Sequence, residues 1–377
     1  AYLIEKFRAA GLEPGNNGSW TQDVPLVEIT AKNVSALSIA DKTGKVTAFA
    51  YGSDFVVGSY REVAKTALNA SELVFVGHGI VAPEKGWNDY ADVDVKGKTV
   101  VVMINDPDFD AKDLTGEFGG KAMTYYGRWT YKYEEAARQG AAAVLIIHDD
   151  APAAYGWNVV NSSWTGTQFL AQSKDAGASQ TAANGWIQKS VATKIFAAAG
   201  RDLAKQMAAA KQPGFKAVPL GLTASLSFDN DITRKASKNV IGVLKGSKRP
   251  DEYVLYTGHW DHLGRCTPAA DGDDICNGAV DNATGSAALV ALAQGHKNAG
   301  AADRSIVFLA VTAEESGLLG SKYYAENPVF PLSQTVGGVN MDAFSMAGPA
   351  KNLTVIGMGK SQLDTYLDAA ARAEDRT

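Results

Sequence analysis

The sequence predicts a layered α/β domain interrupted by a second module. Two observations predict it. Apolar runs of strand length recur at 253–256, 305–311 and 336–341, and a run of small and aliphatic residues at 285–297 fits a helix packed on a sheet. Strands alternating with helices indicate α/β layers. The texture of the chain also changes near Glu72 and again past Leu222, which sets 71–220 apart from 1–70 and 221–377. With 377 residues the chain has length for two or three domains.

The elements follow in order. Residues 2–10 read as a short amphipathic helix stopped by Gly11. Residues 24–30 alternate like a strand. Residues 73–76 form a buried strand ending at Gly77-His78-Gly79, and 94–98 a turn feeding a strand at 99–105. Residues 131–139 read as a helix capped by Gly140, followed by a strand at 141–147. The Ala-, Ser-, Asn-, Gly- and Thr-rich stretch 150–190 suggests long surface loops. Residues 195–210 are strongly helical and end at Gln212-Pro213-Gly214. Strands are expected at 224–228 and 240–244, and, towards the C-terminus, a strand at 353–358 and a helix at 361–373.

Composition narrows the class. Hydrophobic residues make up 46% and charged residues 20%, as in globular proteins with a sizeable core. A net charge of −5 argues against nucleic acid as a partner, which calls for a basic patch. No apolar run approaches the ~18 residues of a membrane span. Cys266 and Cys276 bracket a short polar loop. A disulfide there would contribute roughly 3 kcal/mol in the loop-entropy model and suits an oxidising compartment, hence a secreted or periplasmic protein. Two free thiols are the alternative reading; as zinc ligands the pair lacks a second pair nearby.

Four segments place a histidine and acids at the ends of apolar runs: Gly258-His259-Trp-Asp261-His262, Gly-Ala-Val-Asp281-Asn282, Ala-Glu314-Glu315-Ser and Asn-Met-Asp342. Open α/β sheets bind ligands at the carboxyl ends of their strands, so these segments are expected to converge. Unpaired charges in an apolar interior are costly, and a cation offsets that cost. His259 offers an imidazole nitrogen, and Asp261 is placed to hydrogen-bond its other ring nitrogen. Asp281 has two oxygens to bridge two cations, and Glu315 and Asp342 each complete one metal's shell. Glu314 is left as the carboxylate that takes a proton from water, a combination that points to metal-assisted hydrolysis. The donor set suits zinc, with cobalt or manganese as alternatives. Taken singly, each residue has a plainer reading: an N-cap for Asp281, a solvated face for the Glu pair, a packed ring for His259. His262 reads as loop-structural, and His78, His148 and His296 as ordinary.

These four motifs resemble those of the zinc-dependent aminopeptidase family related to bacterial leucyl aminopeptidase and glutamate carboxypeptidase II. The resemblance implies a three-layer α/β/α exopeptidase domain with a mixed central sheet, built from 1–70 and 221–377. It implies that Asp281 bridges two zinc ions, that His259 and Asp342 hold one and Glu315 the other, and that Glu314 is the general base. Phe75-Val-Gly-His-Gly-Ile80, Trp87-Asn-Asp-Tyr90 and Asp94-Val-Lys-Gly-Lys98 are similar to a β-rich protease-associated domain inserted at 71–220. The Asp281-Asn282 form favours the aminopeptidase branch and a peptide substrate; a dipeptidase, a carboxypeptidase and a non-catalytic binding protein are the alternatives. The family's fifth ligand is a histidine on a later segment, and no histidine follows His296. A C-terminal segment outside these residues is therefore expected to carry it, and residues 1–377 alone to hold the second zinc weakly or not at all.

Overall fold

The structure, a computed structural model, describes residues 1–266, 268, 271–344, 348, 350–352, 355 and 361–377. The chain divides into two compact units. One comprises Ala1–Glu28, Phe169–Gln172 and Thr233–Pro349; the other comprises Ile29–Gln168, Ser173–Ile232 and Ala350–Thr377. Among the described residues no helix is long and apolar enough to cross a membrane. The strand expected at 353–358 lies largely outside the described residues.

The N-terminal helix Tyr2–Ala9 (α1) buries Phe7 and belongs to the first unit. The central strands of the second unit include Phe55–Gly58 (β1), Lys65–Phe75 (β2), Thr99–Met103 (β3), Ala143–His148 (β4) and Ala183–Gln188 (β5). β2, β3, β4 and β5 run parallel in that order, and β1 closes the edge antiparallel to β5. β3 and β4 are buried throughout, the pattern of parallel strands covered on both faces. Phe75, Val101, Leu145 and Ile187 pack one way with Ile195 and Phe196; Val74, Val102, Ile146 and Trp186 pack the other way with Tyr133 and Trp164. Strands thus form the centre of this unit and helices cover both faces.

Three expectations need correction. The stretch 150–190 is not loop. It holds the helix Trp157–Trp164 (α2), whose Val160 and Trp164 are buried, and β5, whose small residues Ala183 and Gly185 lie within the sheet. Its apolar positions are spaced among Ser, Asn and Gly, so composition hides them. The helical stretch expected at 195–210 is two helices, Lys189–Ala198 (α3) and Leu203–Ala210 (α4), broken at Gly200 with φ +68°. A left-handed residue ends a helix, and glycine adopts that conformation without a Cβ clash. The strands expected at 224–228 and 240–244 are one continuous strand, Val218–Leu244 (β6).

The first unit carries the C-terminal part of β6, then Arg249–His259 (β7), the helix Ala283–Ala299 (α5), Arg304–Val311 (β8), the helix Leu319–Glu326 (α6) and Thr335–Asn340 (β9). β8 lies between β6, antiparallel to it, and β7, which is parallel; β9 is parallel to β7 on its far side. The sheet is therefore mixed. Alternation along β8 separates two cores. Ile306, Phe308 and Ala310 pack with Phe7 of α1 and Leu289 and Ala293 of α5; Val307, Leu309 and Val311 pack with Tyr324 of α6. Helices on both faces of a mixed sheet make this unit α/β/α.

Cys266 and Cys276 form a disulfide that closes a two-stranded ribbon, with Gly264 opposite Cys276 and Arg265 opposite Ile275. This selects the bridged reading over two free thiols.

Phe308 is fully buried and stacks on Tyr256 at 5.7 Å. Phe308→Ala is expected to cost about 3–5 kcal/mol, the usual penalty for emptying a buried aromatic site. Urea unfolding of the purified chain would show it as a lower midpoint.

Candidate metal centre

Register delivers the site. His259 is the last residue of β7 and sits opposite Val311, the last residue of β8. Glu314 and Glu315 follow on the turn after β8, and Asp342 stands two residues beyond β9. The Met341 N–H donates to the Thr257 carbonyl at 2.9 Å, which carries the pairing of β9 with β7 past the end of the strand. Asp281 lies just before α5, whose N-cap is Asn282. All the predicted residues therefore meet at the carboxyl edge of one parallel strand group.

Asn282 ties these segments together. Its Oδ1 accepts from the Gly285 N–H at 2.8 Å and from the Ala343 N–H at 3.2 Å, while its Nδ2 donates to the Met341 carbonyl at 2.9 Å. Ser286 Oγ donates to the His259 carbonyl at 2.9 Å. Gly285 has no room for a side chain: a Cβ there would lie 2.4 Å from Asn282 Oδ1 and 2.5 Å from the Met341 carbonyl oxygen. The turn after β8 is held by buried Asn239, which donates to the Gly320 carbonyl at 2.9 Å and accepts from the Thr312 N–H at 3.1 Å. Ala313, immediately before Glu314, has φ +52°. Left-handed backbone at a non-glycine residue persists only where its surroundings hold it.

His259 Nδ1 lies 3.0 Å from the main-chain carbonyl of Asp261. A carbonyl only accepts, so Nδ1 carries a proton, and Nε2 is the nitrogen turned toward the acids. That nitrogen faces Asp281 Oδ1 at 3.0 Å, Asp342 Oδ1 at 3.2 Å and Glu314 Oε2 at 3.8 Å. The sequence expectation had the right residue and the wrong atom. The Asp261 carboxylate does not take the ring; it accepts from the Glu314 N–H at 3.0 Å and the Glu315 N–H at 3.3 Å.

Among the described residues, three groups of side chains bring ligand atoms within 4.8 Å of one another: His259, Asp281 and Asp342; His259, Glu314 and Glu315; and His262, Asp281 and Glu315. Atoms bound to one zinc, each roughly 2.0–2.2 Å away, are at most about 4.4 Å apart, so such groups can close on an ion with little movement. Asp281 is common to the first and third. Sequence reasoning missed His262, whose Nδ1 lies 2.6 Å from Glu315 Oε1. The signal was its adjacency to Asp261: a residue next to the clamp on Glu315 is carried to the Glu315 side chain. Nothing in the sequence reveals that clamp.

The electrostatics fit a cation. Asp281 Oδ1 is buried and makes no hydrogen bond, although His259 Nε2 is close. Burial pushes Glu314 up to about 7, with Asp342, Glu315 and Asp261 adding to the rise and His259 opposing it. Burial and Asp281 raise Glu315, against its hydrogen bond from His262. Burial alone would lower His259, but the charge of Glu314, the Asp261 carbonyl and the Asp261 and Asp342 carboxylates outweigh it and raise it. A carboxyl that holds its proton to near neutrality, beside a second that is also raised, marks an excess of negative charge, which a divalent cation would neutralise.

The protonated groups set the pH dependence of metal binding. An incoming cation must displace a proton from Glu314 below about pH 7, and one from His259, which its acidic neighbours hold above its ordinary value. Zinc affinity is therefore expected to rise with pH as Glu314, near 7, and the raised His259 lose their protons. Calorimetric titration in buffers of different ionisation enthalpy should show more protons released at about pH 6 than at about pH 8. Gly285→Ala, which touches no ligand, is expected to displace Asn282 and Met341 and weaken zinc binding by about 10–100-fold, the usual effect of losing support behind a metal ligand. Competition with a chelating dye would measure it.

Residues 239–377 match the model of Peptidase family M28. Aminopeptidase NAALADL1 of Mus musculus is 32% identical over 139 residues, which are 34% of this chain and 17% of that protein. The glutamate carboxypeptidase 2 homolog of Caenorhabditis elegans is 31% identical over 128 residues, 32% of this chain and 15% of that protein. A "Probable zinc metalloprotease" of Pyricularia oryzae is 36% identical over 106 residues, 28% of this chain and 20% of that protein. The match thus spans a fifth or less of each of these relatives. Among solved structures, the aminopeptidase from Aneurinibacillus sp. strain AM-1 is similar at 20% identity with a TM-score of 0.44, over 91% of this chain and 63% of that one. His259, Asp261, His262, Asp281, Glu314, Glu315 and Asp342 all fall within 239–377, the segment that matches the model of Peptidase family M28.

Proposed function

We propose that this protein is a metal-dependent exopeptidase, a two-zinc aminopeptidase that removes N-terminal residues from peptides. One observation carries the reading: two groups of potential ligands share Asp281, and a further carboxylate, Glu314, stands beside them with its pKa near neutrality. In this reading His259 and Asp342 would hold one zinc, Glu315 would belong to the other, and Asp281 would be shared between them. Bound zinc supplies Lewis acidity, polarising a carbonyl and lowering the pKa of water. Glu314 accepts a proton from water and returns it to the leaving amine; a carboxylate with a pKa near the working pH suits both transfers. Asp261 is a positioning residue that orients Glu314 and Glu315 through their N–H groups.

The Asp281-Asn282 pair supports the aminopeptidase reading over a carboxypeptidase or dipeptidase on the same scaffold. A cleft of about 1060 Å³ lined by Tyr2, Ile4, Trp260, His262 and Val290 supports a peptide as substrate. We assign 71–220 to a protease-associated module inserted between 1–70 and 221–377, on the motifs at 75–80, 87–90 and 94–98. The disulfide supports a secreted or periplasmic location.

Glu314→Gln is expected to leave zinc content unchanged and lower kcat on peptides with a free N-terminus by at least about 100-fold, the scale of a lost general base. Parallel metal analysis and assay check it, with N-blocked peptides as the comparison. Full turnover by the variant removes Glu314 from the mechanism, and cleavage of N-blocked peptides alone removes the aminopeptidase reading.

A further inference from the structure

We infer that Asn277 is a site of spontaneous deamidation, and that the isoaspartate it forms displaces the segment carrying Asp281. The effect on cation binding rests on the reading of the centre as a metal site; the modification and the displacement do not.

Three Asn-Gly pairs occur in the chain, at 17–18, 184–185 and 277–278. Glycine has no Cβ, so its main-chain nitrogen is unhindered in approaching the side-chain carbonyl carbon of the asparagine before it. In sequence the three pairs are equal, and the fold separates them. Asn184 is fully buried in β5, between β4 and β1, and its Oδ1 accepts from Thr181 Oγ1 at 2.5 Å. Asn17 and Gly18, with φ +47° and +88°, form a two-residue hairpin turn. Two main-chain bonds close that turn, from the Asn16 N–H to the Ser19 carbonyl at 2.9 Å and from the Ser19 N–H to the Asn16 carbonyl at 2.8 Å. Asn277 is exposed, and its Nδ2 donates to the Ile275 carbonyl at a long 3.2 Å. Among the described residues nothing accepts from the Gly278 N–H. This pair joins an exposed amide to a main chain that neither a sheet nor a closed hairpin turn fixes.

The reaction needs only water. The Gly278 nitrogen bonds to Asn277 Cγ, the Cγ–Nδ2 bond breaks, and ammonia leaves with the proton that the Gly278 nitrogen gives up. Water then opens the cyclic imide. Opening at Cγ gives aspartate; opening at the main-chain carbonyl carbon gives isoaspartate, whose main chain runs through Cβ and Cγ and is one methylene longer.

The location gives that methylene its effect. Cys276 is fixed by the disulfide, and Asn282 by its bonds to Gly285, Ala343 and Met341, so Asp281 belongs to a short segment tied at both ends. Gly278 is tightly enclosed within it. Its carbonyl accepts from the Ala283 N–H at 2.9 Å, and a Cβ on it would lie 2.9 Å from both the Asp281 carbonyl oxygen and His262 Cβ. A longer main chain at 277 must move Gly278, Asp281 or both, and the new carboxylate adds to the negative charge already gathered there.

The test ages the full chain at mildly alkaline pH, where the amide proton of Gly278 is lost more readily. Fragments are mapped by mass, and an isoaspartyl methyltransferase with a labelled methyl donor is the probe. Asn277 is expected to convert ahead of Asn17, and at least about 10-fold faster than Asn184, whose reaction needs local opening of the sheet. Asn277→Gln is expected to stop the label at this position. Conversion of Asn17 or Asn184 first, or none at Asn277, would overturn the site. Hydrogen exchange of metal-free chain reads the displacement: the Ala283 N–H is expected to exchange faster in the isoaspartyl form than in fresh chain or in Asn277→Asp, which adds the charge without the methylene. Equal exchange in all three would overturn the displacement. Zinc binding by the isoaspartyl form is expected to be about 10–100-fold weaker than by fresh chain, the scale of lost support behind a ligand. Equal affinity would overturn that effect, whereas fresh chain that binds no zinc would remove the metal-site reading and leave the labelling and exchange to decide the rest.

Discussion

The hydrogen bonds from the Glu314 and Glu315 N–H groups to the Asp261 carboxylate are the constraint on which the candidate centre depends. Parallel pairing aligns β7 with β8 only as far as His259 and Val311. One more main-chain bond follows, from the Trp260 N–H to the Val311 carbonyl at 3.0 Å, and then the two chain segments leave the sheet. Asp261 closes the gap with a charge-assisted bidentate contact, of the class worth about 1.5–3 kcal/mol per bond. Because its own carbonyl also orients His259, one residue aligns the imidazole and both glutamates. His262 follows it in the chain and is brought to Glu315 by the same contact.

That arrangement concentrates acid groups. Five carboxylates, those of Asp261, Asp281, Glu314, Glu315 and Asp342, share a small volume with two imidazoles. Asp261 is satisfied by N–H donors and His262 donates to Glu315, but Asp281 Oδ1 has no hydrogen-bond partner. The elevated pKa of Glu314 has the same origin: it is buried among groups of its own sign. A site of this kind is poor at stabilising the fold and well suited to holding a cation. The apolar layers on both faces of β8 supply the support that such an edge requires.

Much of the centre was legible because strand-length apolar runs stop abruptly at His259, Glu314 and Asp342. Period and burial are local properties of a sequence. What stayed hidden depends on contacts between distant segments. The atom through which Asp261 meets His259, and the place of His262, follow from the 261–315 contact, a separation of more than fifty residues. The second unit shows a different obstacle. In 150–190 the buried positions include Val160, Trp164, Ala183 and Trp186, dispersed among residues that favour turns, so composition pointed to loop where packing makes a helix and a strand. Gly200 lies inside an otherwise continuous helical pattern, and only its left-handed backbone shows that the helix stops there.

Asn282 shows how specific the surroundings of the ligands are. As a helix N-cap, asparagine, aspartate and serine are nearly equivalent, so capping alone would not choose among them. At this position the side chain is 2% exposed and has two further tasks. It accepts a second N–H from Ala343, next to Asp342, and it donates to the Met341 carbonyl. An aspartate could cap α5 and take both N–H groups, but it would set a carboxylate oxygen 2.9 Å from the Met341 oxygen in a buried space, at the cost of an unsatisfied, repelling pair. It would also add negative charge beside Asp281 and Asp342. Serine is too short to span both segments. Only an amide offers a donor and an acceptor at that reach without charge, so the residue beside the proposed bridging ligand is selected by the need to join α5 to β9 without adding to the acid already gathered there.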